Sequence, residues 1–253
     1  MQLNPMSLAG RCVLVTGASS GIGRETAVLL SELQAKLILN GRDPARLEQT
    51  RQRLSGEGHA VAPFDLTALD QIPQWLHTLT GEHGRLHGLV HAAGMQWTLP
   101  VRAVSPEKLE QVIRVNFSSA VMLARGLSQK ACRAPETSLV FLASVMGLAA
   151  KPAISVYAGT KAALMGFTRS LAVELARDKV RVNCLAPGFV RTEMFEQMER
   201  LLTPEQLTAL EQAHPLGFGT ARDVASAAAF LIADTGRWIT GSTLVIDGGY
   251  SAT

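Results

Sequence analysis

The feature that most narrows the fold is an alternation. Short runs rich in β-branched residues and leucine, too brief for helices, are separated by longer stretches with helical periodicity. The runs are Cys12 to Thr16, Lys36 to Asn40, Ala60 to Phe64, Gly88 to His91, Ser138 to Ala143, Arg181 to Leu185 and Thr243 to Ile246, which predicts seven strands. They are continuously apolar, as strands covered on both faces are, and most of the intervening stretches are long enough for a crossover helix. The expected architecture is α/β: a doubly wound parallel seven-stranded sheet with helices on both faces. At 253 residues the chain can bury one large core, and no repeat or linker divides it, so a single domain over 1–253 is expected. One irregular stretch, 190–219, is polar and rich in Met and Glu. It follows the C-terminal end of a predicted strand, where such folds carry a substrate lid.

The first strand runs directly into Thr16-Gly17-Ala18-Ser19-Ser20-Gly21-Ile22-Gly23-Arg24 and then an Ala/Leu-rich helix. Gly17 permits a tight turn, Gly21 lets the backbone approach a pyrophosphate, and Gly23 lets the helix pack close to the strand. The helix N-terminus offers unpaired N–H groups and a positive dipole end. A glycine triplet in a loop is weak by itself, but its position between a strand and a helix points to nucleotide binding. The end of the second strand reads the ribose: a carboxylate there would accept from a 2′-hydroxyl. This chain has Asn40-Gly41-Arg42 instead. A guanidinium suits a 2′-phosphate through paired charge-assisted hydrogen bonds, so NADP(H) is expected over NAD(H). The plainer reading is that Arg42 is a solvated turn residue.

Ser144, Tyr157 and Lys161 form a Ser-x12-Tyr-x3-Lys array. If the stretch from Tyr157 is helical, the phenol and the ammonium lie on one face, one turn apart. A free tyrosine titrates near pH 10, and bringing it to about 7 takes roughly 4 kcal/mol of preferential phenolate stabilisation, which an adjacent ammonium can supply. The result would be a general acid or base poised near working pH. A Tyr and a Lys one turn apart are also ordinary helix-surface chemistry, so the array gains weight only beside the nucleotide cradle. The helix from Tyr157 to Ala176 is apolar nearly all round, which predicts a second covered side and hence a homo-oligomer, dimer or tetramer.

Bulk properties exclude several classes. Apolar residues make up 47% of the chain, yet no uninterrupted apolar stretch nears the ~18 residues of a membrane span. The N-terminal residues lack a basic n-region and an apolar h-region, so a cytoplasmic location is expected. Cys12, Cys132 and Cys184 are odd in number and scattered, which suits reduced buried thiols better than disulfides or a nucleophile. A net charge of +3 without a dense basic run argues against nucleic acid as a partner. Arg46, Arg51 and Arg53 interleave with Glu48 and read as a solvated helix face. His83 and His87 have a metal-compatible spacing, but Gly84 interrupts them and no further ligand clusters there, so no metal is expected.

Taken together these residues resemble the short-chain dehydrogenase/reductase family, whose nucleotide motif is Thr-Gly-x3-Gly-x-Gly and whose active site is Asn, Ser and Tyr-x3-Lys. The resemblance covers essentially the whole chain and implies a Rossmann-type fold. Thr16 to Gly23 fits the glycine motif, placing Gly17, Ser19, Ser20, Gly21, Ile22 and Gly23 at the cofactor together with Asn40 and Arg42. Asp65-Leu66 looks like the adenine-contacting pair, and Pro187-Gly188 with Val190 and Thr192 like the segment holding the nicotinamide carboxamide. Asn116, Ser144, Tyr157 and Lys161 match the catalytic positions, and Asp247-Gly248-Gly249 matches the closing motif. One position departs: His91-Ala92-Ala93-Gly94 stands where the family has an asparagine-led motif that braces the sheet. Histidine can also donate and accept one hydrogen bond each. The fold should therefore survive, with His91, Ala92 and Gly94 kept as cofactor-side candidates.

The resemblance implies hydride transfer between NADP(H) and a ketone or secondary alcohol. Tyr157 would move the proton and Ser144 would orient the substrate oxygen. Lys161 would bind the ribose and lower the Tyr157 pKa, and Asn116 would hold a relay water. The nearest look is to bacterial 3-oxoacyl-(acyl carrier protein) reductases, and a pI near 8.9 favours encounter with an acidic carrier. Val145, Met146, Leu148 and Phe189 favour an apolar ketone; Ser144, Met146, Tyr157 and Phe189 are the substrate candidates. A steroid, polyol or sugar dehydrogenase is the alternative enzyme. A non-catalytic NADP-binding regulator or scaffold is the alternative of another kind, one that loss of Tyr157 or Lys161 would have signalled.

Overall fold

The computed structural model describes residues 4–252; the ends of the expected 1–253 domain, residues 1–3 and 253, lie outside the described residues. The strands of the main sheet are β1 (Cys12–Thr16), β2 (Lys36–Gly41), β3 (Ala60–Pro63), β4 (Leu86–His91), β5 (Arg133–Leu142), β6 (Arg181–Pro187) and β9 (Thr243–Ile246). All pair in parallel in the order β3-β2-β1-β4-β5-β6-β9. The chain builds outward from β1 to β3, then returns to lay β4 on the other side of β1. That reversal splays the connections apart and leaves a crevice at the C-terminal ends of β1 and β4. Helices α1 (Gly21–Glu32), α2 (Pro44–Arg51), α3 (Ile72–His83), α4 (Pro106–Ile113), α5 (Ser119–Ser128), α6 (Ser155–Leu175) and α9 (Ala221–Ile232) cover the faces.

Continuous apolar strands are explained by two cores, one on each face. Leu14, Ile38, Leu89, Leu139, Phe141 and Val182 point into one, with Leu76, Leu123, Leu164 and Leu171 from α3, α5 and α6. The alternate residues Val13, Val15, Leu37, Leu39, Val90 and Val140 point into the other, against Leu30 of α1 and Val224, Ala228 and Leu231 of α9. Burying one such Leu or Val contributes about 1.5–3 kcal/mol, so both layers are needed to offset the ordering of the chain.

Two features depart from the sequence-based expectation. β5 begins at Arg133, five residues earlier than the apolar run at Ser138, because its first half carries a register shift and Glu136 sits at φ 61°. The 190–219 stretch is ordered: a two-stranded pair, β7 (Val190–Arg191) and β8 (Gly219–Thr220), brackets α7 (Glu193–Glu199) and α8 (Pro204–Gln212). Thr192 caps α7, and Thr203 with Gln206 forms a capping box on α8. The three cysteines are buried and free. His83 ends α3 while His87 lies on β4, its Nδ1 accepting from Cys12 N–H. Among the described residues no helix is long and apolar enough to cross a membrane.

Candidate active site

The glycine loop lies in the crevice. Gly17 sits at φ 65°, and a Cβ there would stand 2.7 Å from Ala93 N, so the loop presses on the segment that leaves β4. A Cβ on Gly23 would stand 2.3 Å from Gly17 O, so α1 starts hard against its own turn. Ser20 makes no side-chain cap, and no acidic residue occupies the first turn of α1. The N-terminal amides are therefore not capped by local side chains and can take an anion, which is the fit a dinucleotide pyrophosphate requires. One of them is engaged from a distance: the Glu193 carboxylate accepts from Gly21 N–H at 3.0 Å and from Arg24 at 3.2 Å. Thr192 lies against the same glycine.

The other cofactor-side candidates divide. Arg42 is exposed and, among the described residues, unpaired; Asp43 beside it caps α2. Asp65 is exposed, while Leu66 is in the core. Asn40 is fully buried and donates to Ala62 O and Phe64 O, tying β2 to β3. Gly188 packs directly on Asp247, where an added Cβ would stand 2.8 Å from its Cα, so two motifs 60 residues apart in sequence meet at the ends of β6 and β9.

His91 is also turned inward, at 1% exposure. Thr16 Oγ1 accepts from Ala93 N–H and lies 2.8 Å from His91 Nδ1, to which it donates when that nitrogen carries no proton. Ser119 donates to Val115 O, so His91 Nε2–H donates to Ser119 Oγ at 3.3 Å. The direction of this chain fixes the neutral Nε2–H tautomer. Burial, with a contribution from the Lys161 charge, lowers the His91 pKa to about 3. The imidazole thus performs the bracing between β1, β4 and α5 that the departure from asparagine had put in question.

Asn116, Ser144, Tyr157 and Lys161 come together from three elements: the π turn, the end of β5 and α6. Asn116 lies in a π-helical turn, Arg114–Ser118, between α4 and α5. Its amide accepts from Met95 N–H at 2.8 Å and donates to Met95 O at 2.9 Å and to Thr160 at 3.2 Å, and Thr160 in turn donates to Tyr157 O. Both amide protons are used, which leaves the second lone pair of Oδ1 for a water. Ser144 follows β5, accepts from Met146 N–H and is hydrogen-bonded to the Tyr157 hydroxyl. Lys161, 5% exposed, donates to Leu142 O at 2.7 Å and lies 5.6 Å from the Tyr157 ring centre. Asn116 Oδ1 and Lys161 Nζ converge on Gly94, each 3.5 Å from where its Cβ would be.

The electrostatics correct one expectation. Burial raises the Tyr157 pKa, partly offset by the Ser144 hydrogen bond, and the same burial lowers that of Lys161 to about 8. Dehydration dominates both shifts, and neither group contributes to the shift of the other. The phenol is therefore held protonated in the free protein.

A second cluster walls the cleft: Val145, Met146 and Ile154, with Ala149, Tyr157, Phe189 and Tyr250 packed against them. His214, at the end of α8, sets its ring 5.4 Å from Phe189 and 4.7 Å from Tyr250. A cavity of about 550 Å³ opens beside them, lined by Leu148, Ala149, Ala213, Tyr250 and Ser251. Glu193, Thr160, His214 and Tyr250 had no signature in the sequence, because each acts through a partner far along the chain.

The profile of a family described as Enoyl-(Acyl carrier protein) reductase matches residues 17–251. The chain belongs to the short-chain dehydrogenase/reductase family. As a short-chain dehydrogenase/reductase it is an oxidoreductase that acts on CH–OH groups of small molecules with a nicotinamide cofactor. It is 33% identical over 245 residues to the 3-oxoacyl-(acyl-carrier-protein) reductase of Vibrio cholerae, covering 96% of this chain and 98% of that one. It is 30% identical over 247 residues to the gluconate 5-dehydrogenase of Gluconobacter oxydans, covering 96% and 95%. The structure of a short-chain type dehydrogenase/reductase from Mycobacterium ulcerans superposes with a TM-score of 0.90 at 30% identity, covering 97% of this chain and 91% of that one.

Proposed function

We propose that the enzyme interconverts a ketone and a secondary alcohol using NADP(H), with Tyr157 as general acid and base. The observation that carries this reading is the Tyr157 hydroxyl, protonated by burial, bonded to Ser144 and backed by buried Lys161 at the mouth of the glycine-loop crevice. A bound nicotinamide cofactor supplies the hydride in reduction and takes it in oxidation. Gly17 to Gly23 hold its pyrophosphate and Arg42 its 2′-phosphate. Pro187, Gly188, Val190 and Thr192 flank the nicotinamide end. Ser144 donates to the substrate oxygen, and Tyr157 passes its proton to that oxygen as charge develops. Lys161 then stabilises the phenolate, which is reprotonated through a water held at Asn116.

The 190–219 stretch serves as the lid, anchored through β7 and β8 and through the aromatic contacts of His214. The outward face of α6 presents Gly159, Ala162, Gly166 and the exposed Val173, small residues that let a second copy approach closely, in a dimer or tetramer. The Vibrio cholerae relative supports a 3-oxoacyl thioester as substrate, reduced in the cytoplasm as in fatty acid synthesis; the Gluconobacter relative supports a polyol or sugar acid. Following NADPH oxidation against acetoacetyl thioesters, diketones and sugar ketones tests the reaction. Tyr157→Phe is expected to abolish turnover while retaining NADPH binding. Substantial residual turnover refutes the acid–base role, and NADPH binding without reduction of any ketone indicates a scaffold.

A further inference from the structure

One cation beside the site has no counter-charge. Lys151 lies on the segment joining Ser144 to Tyr157, seven residues after one and six before the other. Its Nζ is suspended 4.7 Å from the Phe189 ring centre and 5.9 Å from that of Tyr250. Both rings belong to the cluster that contains Tyr157. Several covered cations elsewhere are paired with carboxylates: Arg11 with Asp234, Arg24 with Glu193, Arg133 with Asp178. Lys151 has no ion pair or hydrogen bond among the described residues. Burial lowers its pKa, and no neighbouring charge contributes to the shift. The Asp247 carboxylate, three residues before Tyr250, accepts from Gly249 N–H, Ser251 N–H and the Ser251 hydroxyl. The segment is also fixed in place: Ala153 sits at φ 64° and its carbonyl accepts from Leu99 N–H at 2.7 Å.

Aromatic faces hold an ammonium without neutralising it. A half-dehydrated, uncompensated charge within the substrate wall is set to gain from an incoming anion, since the water it would lose is already partly gone. We propose that Lys151 is the specificity residue of the cleft and holds an anionic group, carboxylate or phosphate, on the ketone substrate while Tyr157 and Ser144 take its oxygen. This rests on the oxidoreductase reading for its kinetic consequence, and it narrows the substrate to an oxo acid or to a ketone on a phosphorylated carrier arm.

The test compares wild type, Lys151→Met and Lys151→Arg on matched substrates. 3-Oxobutanoate, 4-oxopentanoate and 5-oxohexanoate are each set against their methyl esters, and acetoacetyl-phosphopantetheine against acetoacetyl-pantetheine. Lys151→Met is expected to lower kcat/KM tenfold or more for at least one anionic member while leaving its neutral partner within twofold, and Lys151→Arg to restore it. Loss confined to the acids assigns a carboxylate; loss confined to the phosphorylated thioester assigns a phosphate. Equal effects on both members of every pair overturn the proposal. Calorimetric titration with 3-hydroxybutanoate and with inorganic phosphate reads the site without turnover. Binding by wild type that Lys151→Met abolishes sustains it, and no binding by wild type, or equal binding by both, overturns it. If no ketone is reduced, the oxidoreductase reading fails, yet these titrations still judge the anion site.

Discussion

Replacing His91 by asparagine should make the protein less sensitive to acid. In the folded chain the ring is buried, its Nδ1 lone pair is taken by the Thr16 hydroxyl, and its pKa is about 3. In the unfolded chain it returns to the ordinary value near 6.5. Between those values the unfolded state binds a proton that the folded state refuses, so stability rises with pH there and is lost as pH falls from about 6.5 toward about 3. The stabilisation is complete above the unfolded value. By pH 5 the loss reaches about 2 kcal/mol from this one group, a sizeable part of the stability of an ordinary domain. Urea denaturation of wild type and His91→Asn at pH 7.5 and pH 5.0 gives the double difference, in which every other titrating group cancels. Wild type should lose about 2 kcal/mol more than the variant over that interval. His91→Gln, which keeps a donor and an acceptor on a longer arm, covers the case in which asparagine folds poorly at both values. An equal acid loss in wild type and both variants would refute the assignment of a neutral, unprotonatable imidazole at this position.

Two further perturbations probe the cofactor side. Glu193→Gln removes a half-exposed negative charge from the glycine loop. At solvent-like dielectric and a few ångströms this is worth about 1 kcal/mol against a phosphate, so NADPH should bind roughly fivefold tighter at low salt, with the gain fading as salt screens it; fluorescence titration showing unchanged or weaker binding would contradict this. Arg42→Asp should weaken NADPH tenfold or more while leaving NADH nearly unaffected. If the preference between the two cofactors does not move, Arg42 is a solvated turn residue.

The sheet was legible because its strands are buried on both faces and so carry an unbroken apolar signal. β5 was misread at its start because a left-handed Glu136 and a register shift interrupt that signal. The helices of the 190–219 stretch were overlooked although Thr203-Pro-Glu-Gln spells a capping box. Catalytic candidates were readable because Tyr157 and Lys161 need only one turn of helix to meet. Their titration was not, since spacing reports proximity and says nothing of burial, and burial set the sign for Tyr157. Glu193 on the loop at Gly21, and Lys151 on the ring of Tyr250, are contacts across 172 and 99 positions. Local pattern carries no trace of such pairs.

The π turn between α4 and α5 acts as a phase shifter. Each residue of an α-helix advances the azimuth by about 100°, and a turn of five hydrogen-bonded positions absorbs one residue more than the regular ladder allows. α5 consequently presents Leu123 and Leu127 to the core while Asn116, about two turns before Leu123, still faces Met95. Deleting a single residue within 114–118 would let the two helices run on as one straight rod, and the packing face and the amide could no longer both point where they do. Along this stretch the residue count itself is part of the candidate active site.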